Sequence, residues 1–258
     1  MKYFLPILLS IFWAVSAMGA VKTETVEYKQ GDTSLEGYLS YDDALKGPRP
    51  GIVVFHDWMG NGPFSKGRAE ELAKLGYVAF AADIYGKGVR PKNAQEAGAQ
   101  AGLYKNDRPV TRARANAALA VLRKNPRVSS KRLAAIGYCF GGMVALELAR
   151  SGADIIGAVT FHGALDTPTP GDAKNIKGNV LALHGADDPF VTLQNVEAFE
   201  DEMRKAGVDW QLIAYGGAVH AFSNPAAGND NSKGAAYNEK ADRRSWAAMN
   251  SFFAEIFK

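Results

Sequence analysis

Cysteine is nearly absent from this chain: of 258 residues, one, Cys139, carries a thiol. An internal disulfide is therefore excluded, and a redox switch built on Cys139 would have no resolving partner. Histidine is almost as scarce, with four residues, so any proton-transfer site must draw on His56, His162, His184 or His220. The formal net charge of +3 is small and no lysine/arginine block occurs. Nothing asks for a nucleic acid partner. Internal repeats, low-complexity tracts and a convincing linker are also missing. Against these absences stands a hydrophobic fraction of 47% with 22% charged residues, enough to bury a sizeable core in one domain.

One apolar run stands apart, Phe4 to Val15, preceded by Lys2 and followed by the small residues Ser16-Ala17-Met18-Gly19-Ala20. This is the pattern of a signal peptide, with residues 1–20 removed on export and 21–258 left as the mature domain. The run is short for a membrane span and gives way to the polar Lys22-Thr23-Glu24. The expected address is periplasmic or secreted, with no membrane attachment after leader removal. A lone thiol in an oxidising compartment must be shielded.

After the leader, strand and helix patterns alternate. Val26 to Tyr28 and Leu35 to Tyr41 flank the turn signal Gly31-Asp32, which predicts an opening hairpin. Short, nearly continuous apolar runs then predict strands covered on both faces: 51–55, 78–81, 133–137, 155–161, 180–183 and 211–215. Helical periods lie between them at 65–75, 110–123, 143–150, 192–205 and 235–257. Strict alternation means an α/β domain, and the leading hairpin favours an open, mostly parallel sheet with helices on both faces over a barrel. Residues 87–106 are the least regular stretch, the expected lid or cap piece.

The thiol sits in Gly137-Tyr138-Cys139-Phe140-Gly141-Gly142, directly after an apolar strand and before a helical period. That is the form of a nucleophile elbow, a turn so tight that glycine is required two positions either side of the nucleophile. A thiol attacks as thiolate, which needs a base and a positive field, and the helix starting at Phe140 offers its N-terminus. Among the histidines, His220 is the best base, because Gly216-Gly217 and the last strand present it at the carboxyl edge of the sheet. The acid comes from Gly185-Ala186-Asp187-Asp188-Pro189, after the penultimate strand, giving the order nucleophile, acid, histidine. Spacing favours Asp188 and leaves Asp187 as a loop residue. The oxyanion donors are expected at the backbone N–H of Phe140 and of Trp58.

These motifs resemble the dienelactone hydrolase family. The resemblance rests on Phe55-His56-Asp57-Trp58-Met59-Gly60, Ala82-Asp83-Ile84-Tyr85-Gly86, the Cys139 elbow, Asp188-Pro189-Phe190-Val191 and His220-Ala221-Phe222. It implies an α/β-hydrolase fold, a Cys139–His220–Asp188 triad, no metal, no cofactor, and a monomer acting on a small ester or lactone. Asp57 stands where dienelactone-cleaving members have a glutamate that gates the resting thiol, and Asn224 where they have an arginine for the substrate carboxylate. With Tyr138 beside the nucleophile, these residues are the expected substrate site. The second family arginine falls in a stretch that has none here, and Arg90, Lys92 and Arg108 are read as solvated surface charges. The same triad suits a general esterase, acyltransferase or peptidase. A retained hydrolase fold acting as a non-catalytic periplasmic binding protein is the alternative of a different class.

Overall fold

The structure is a computed structural model and describes residues 20–258. The expected leader therefore lies outside the described residues, apart from its last position. Among the described residues, no helix is long and apolar enough to cross a membrane.

The hairpin forms as the turn signal demands: β1 (Val21–Gln30) pairs with β2 (Thr33–Asp42) in antiparallel register, Gln30 opposite Thr33. Gly31 supplies the positive φ of +55° at the turn. The remaining strands are β3 (Arg49–Phe55), β4 (Val78–Ala82), β5 (Val128–Tyr138), β6 (Gly157–Phe161), β7 (Asn179–Gly185) and β8 (Trp210–Tyr215). They join the hairpin in one eight-stranded sheet of order β1-β2-β4-β3-β5-β6-β7-β8. From β4 to β8 all neighbours are parallel, and β2 meets β4 antiparallel.

Both faces are covered, which is why the central strands read as unbroken apolar runs. On one face, α1 (Pro63–Lys74) and α6 (Glu239–Ile256) bring Ala69, Leu72, Met249, Phe252 and Phe253 against Val54, Ile136 and Val159. On the other, α3 (Arg108–Lys124) and α4 (Phe140–Arg150) bring Leu119, Leu122, Val144 and Leu148 against Val53, Leu133 and Ala135. The same face carries α5 (Leu193–Ala206), whose Phe199 and Met203 pack with Val180 and Ala182. Residues two apart on β5 thus enter different layers from their immediate neighbours, as the pleat requires.

The stretch expected to be irregular contains a helix, α2 (Ala94–Asn106). Its sequence is alanine- and glycine-rich and buries only Ala97, Ala101 and Tyr104, so it carries too thin an apolar stripe to announce itself. It is started by a cap: the Asn93 side chain accepts from Glu96 N, and the Glu96 carboxylate accepts from Asn93 Nδ2 and Lys92 N.

Chain order reverses direction across the sheet at β3, which has β4 on one side and β5 on the other. Loops leaving the carboxyl ends of strands on either side of such a switch diverge and leave a crevice. The loop after β3 and the turn after β5 are the two that border it.

Candidate active site

The turn between β5 and α4 is closed to a degree that admits no side chain at its glycines. A Cβ on Gly137 would lie 1.9 Å from the Gly141 carbonyl oxygen, and one on Gly141 would lie 2.2 Å from the Phe55 carbonyl oxygen. At the apex Cys139 is held at φ +55°, ψ −117°, a conformation that costs a side-chain-bearing residue roughly 1–3 kcal/mol. Two backbone bonds hold it there, Cys139 N to Phe161 O and Gly142 N to Cys139 O, each 3.0 Å. The strain lifts a half-buried thiol to the carboxyl edge of the sheet, at the N-terminus of α4.

His220 arrives from the loop after β8, and its backbone is fixed on both sides. Its N–H donates to Gly234 O at 3.1 Å and its carbonyl accepts from Ala236 N at 3.0 Å. The ring spans two partners: Nε2 lies 3.0 Å from Cys139 Sγ, and Nδ1 lies 2.8 Å from Asp188 Oδ2. Asp188 is buried after β7, and its other oxygen accepts the N–H groups of Phe190 and Val191 at 2.8 and 3.3 Å. Asp187 turns away and accepts from Gly217 N at 3.1 Å. Burial by itself would lower the His220 pKa; the charge of Cys139 and the hydrogen bonds and charge of Asp188 outweigh it and push it up to about 10. Such a ring keeps its proton at neutral pH.

A family model described as the dienelactone hydrolase family matches residues 35–257. The chain belongs to the dienelactone hydrolase family. A solved structure called m3DLH is 43% identical, with a TM-score of 0.90 over 93% of this chain and 100% of that one. A dienelactone hydrolase-like promiscuous phosphotriesterase, P91, from metagenomic libraries is 42% identical, with a TM-score of 0.87 over 92% and 99%. Protein usf of Aquifex pyrophilus is 31% identical over 206 residues, 78% of this chain and 87% of its own. A lactone is a cyclic carboxylic ester, and this family member is accordingly a carboxylic ester hydrolase with an α/β-hydrolase fold.

Around the thiol the other expected residues divide. Phe140 is the first residue of α4, where the N–H has no acceptor within the helix. The Trp58 carbonyl accepts from the Tyr85 hydroxyl at 3.0 Å, which orients the peptide that follows it, and the indole is 39% exposed. Asp57 is not bonded to the sulfur. Its Oδ1 accepts Met59 N at 2.8 Å and its Oδ2 accepts Asn224 Nδ2 at 3.3 Å, so the loop after β3 is tied to the loop after His220. Burial raises the Asp57 pKa against the pull of those two donors.

Tyr138 is a correction. Its side chain is fully buried in the α1 and α6 layer, stacked on Phe161 at 4.7 Å and edge-on to Phe64 at 5.0 Å, because strand alternation turns it away from the thiol. Two arginines are corrected as well. Arg90 spends its guanidinium on the carbonyls of Asn61 (3.2 Å) and Val89 (2.7 Å), and Arg108 is 6% exposed, reaching Asp166 at 3.5 Å. Neither is a solvated surface charge, and only Lys92 is exposed as expected.

Two of the other histidines, His56 and His162, are held by hydrogen bonds near the elbow. His56 donates from Nδ1 to Asp57 O (2.6 Å) and accepts Ile84 N at Nε2 (3.2 Å), and burial pushes its pKa down to about 4. His162 is bonded through Nε2 to Ser223 Oγ at 2.7 Å and sits edge-on to His220 at 5.3 Å. Burial and the His220 charge hold it well below the usual histidine range, and burial lowers His184 too. Tyr85, which in the sequence is only one residue of the Ala82–Gly86 motif and not a site candidate, packs its ring on His56 (4.7 Å) and Phe140 (5.3 Å). The signal available was its place just past the carboxyl end of β4.

Proposed function

We propose that this hydrolase cleaves small esters or lactones by acyl transfer to Cys139, with His220 as proton carrier and Asp188 as its partner. The reading is carried by the unbroken chain Asp188–His220–Cys139 at 2.8 and 3.0 Å. The thiolate adds to the carbonyl carbon, and the N–H groups of Phe140 and Trp58 stabilise the oxyanion. Collapse forms the thioester and expels the alkoxide, which takes a proton from the His220 imidazolium. Neutral His220 then takes a proton from water, the resulting hydroxide adds to the thioester, and collapse releases the acid and restores the thiolate–imidazolium pair. Asp188 keeps Nδ1 protonated throughout, so that Nε2 alone exchanges its proton with substrate.

Cys139→Ala is the test. Hydrolysis of p-nitrophenyl acetate falls to background while the circular dichroism spectrum stays that of the parent, and a stalled parent reaction shows the acyl mass on the Cys139 peptide. A fully active variant refutes the assignment. Residues 21–258 act in this reading as one monomeric catalytic domain, with residues 1–20 as an export signal. Protein recovered from whole cells that still begins at Met1 and is absent from the periplasmic fraction refutes the export signal, and a molar mass in solution of twice that of the single chain refutes the monomer.

A second reading has one observation in its favour, the 42% identity to a phosphotriesterase across 92% of this chain. The same thiolate attacks the phosphorus of a neutral aryl phosphotriester. Release of p-nitrophenol from paraoxon, lost in Cys139→Ala, supports it; no release above background removes it.

A further inference from the structure

The loops that border the elbow carry a carboxylate, Asp57, and exposed apolar side chains, Trp58 and Phe190. Asp57 lies next to the elbow: a Cβ on Gly141 would meet the carbonyls of Phe55 and His56, the two residues before it. It is also tied to the loop that carries the base, through Asn224 four residues after His220. Both groups bonded to the Asp57 carboxylate are donors, Met59 N–H and Asn224 NH2, which suits its ionised form. Arg90 is bonded to backbone carbonyls and lies 3.7 Å from Asp83, while Arg108 is buried with Nη2 3.5 Å from Asp166 and its Nε and Nη1 without partners.

Of the eight large hydrophobic side chains exposed among the described residues, Trp58 and Met59 follow β3, Val89 follows β4 and Phe190 follows β7, each on a loop leaving the carboxyl end of its strand. Phe190 stands edge-on to the His220 ring at 5.5 Å although it is 62% exposed. A groove of about 360 Å³ runs between Val89, Pro91, Ala99 and Leu103 with Arg90, Glu96 and Gln100 also lining it, and Val89 and Arg90 lie against Gly60. Scattered surface leucines need no explanation, but apolar residues gathered round a reactive group do.

We infer that the site selects uncharged esters with an apolar acyl chain, Asp57 rejecting acyl chains that end in a carboxylate and Trp58 and Phe190 forming the apolar walls. The inference rests on the acyl-transfer reading and names its substrate class. Hydrolysis balances simply: ester and water give a carboxylic acid and an alcohol. The acid ionises on release, so the same repulsion that rejects an anionic substrate drives the product out.

The test uses a matched pair, 4-nitrophenyl hydrogen glutarate and its neutral methyl ester, with 4-nitrophenyl acetate and hexanoate as a chain-length pair. Opposed to an anion a few ångströms away in a partly buried site, the carboxylate substrate loses about tenfold or more in kcat/KM. The parent prefers the neutral glutarate by that factor, and Asp57→Asn shrinks the preference at least fivefold by raising the rate on the anionic one. Asp57→Ser gives the same direction and serves if the asparagine variant does not fold. Phe190→Ala lowers the hexanoate-to-acetate ratio at least threefold. A parent that prefers the anionic glutarate, or a preference untouched by both Asp57 variants, overturns the inference; loss of such an anionic preference in Arg108→Ala would identify that guanidinium as the reader instead. Cys139→Ala separates the two levels. If it abolishes all four reactions while the glutarate preference runs the wrong way, selectivity alone is refuted; if it abolishes none, the acyl-transfer reading falls.

Discussion

Replacing Cys139 by alanine should discharge His220. The paired ring is pushed from the ordinary 6.5 up to about 10. That is roughly 5 kcal/mol in favour of the imidazolium at 1.36 kcal/mol per pH unit. Coulomb's law at the 3.0 Å between Nε2 and Sγ gives the same order with an effective dielectric constant of about 20. Burial opposes the charge, and Asp188 remains to support it, so the alanine variant should titrate several units lower without becoming an ordinary exposed histidine. Long-range nitrogen–proton correlation spectra of the side chains read this directly. His56, His162 and His184 all have lowered pKa values and are neutral at pH 7.5, so His220 is the one ring left to titrate above it. In the parent its shifts change near pH 10; in Cys139→Ala they change well below that. The sign of the stability linkage follows. A raised pKa contributes stability that is fully present below about 6.5 and lost as pH rises through about 10, and the alanine variant lacks most of that alkaline loss. A parent His220 that titrates near 6.5, or one whose midpoint is unmoved by removing the thiol, refutes the ion pair.

Three further outcomes follow from other parts of the molecule. Burial holds His56 near 4 against an unfolded value near 6.5, so stability falls as pH drops between those limits, by about 3 kcal/mol from this residue; urea midpoints measured from pH 7 to 4 in the parent and in His56→Phe show a shallower fall in the variant. Arg150 is fully buried and bonds both oxygens of Glu202 (2.8 and 2.7 Å) and one of Glu147 (3.0 Å), so Arg150→Met costs about 3–5 kcal/mol by stranding Glu202, whereas Arg150→Met with Glu202→Met costs much less because Arg112 still holds Glu147 at 2.7 Å; equal losses in the two variants, by urea unfolding, contradict this. Gly142→Ala would set a Cβ 2.3 Å from Thr160 Oγ1 and 2.8 Å from Gly163 Cα, forcing α4 away from β6, and at least a tenfold drop in kcat/KM on p-nitrophenyl acetate with a destabilisation of about 1–3 kcal/mol is expected; unchanged kinetics refute the close-packing argument.

The elbow was legible in the sequence because its constraint is local: a turn that brings Gly137 against Gly141 leaves a glycine spacing in the chain itself. The hairpin and the covered strands were legible for the same reason, each leaving its own period. What escaped were properties set by parts of the chain far apart. Arg90 and Arg108 look like any surface arginine in a one-dimensional reading, since the carbonyl of Asn61 and the side chain of Asp166 that receive them are nothing in their neighbourhood. The helix α2 escaped differently, for its cap at Asn93 and Glu96 was readable but its buried stripe was not. Tyr138 failed on parity: sequence adjacency to Cys139 suggested a shared site, while the pleat of β5 sends neighbouring residues to opposite layers up to the last strand position. The Asp57–Asn224 contact combines both limits. Each residue departs from the family pattern on its own, but their separation of 167 positions hides that the two departures meet at 3.3 Å. A paired departure is more informative than two single ones, because one carboxylate–amide contact ties the loop after β3 to the loop after β8.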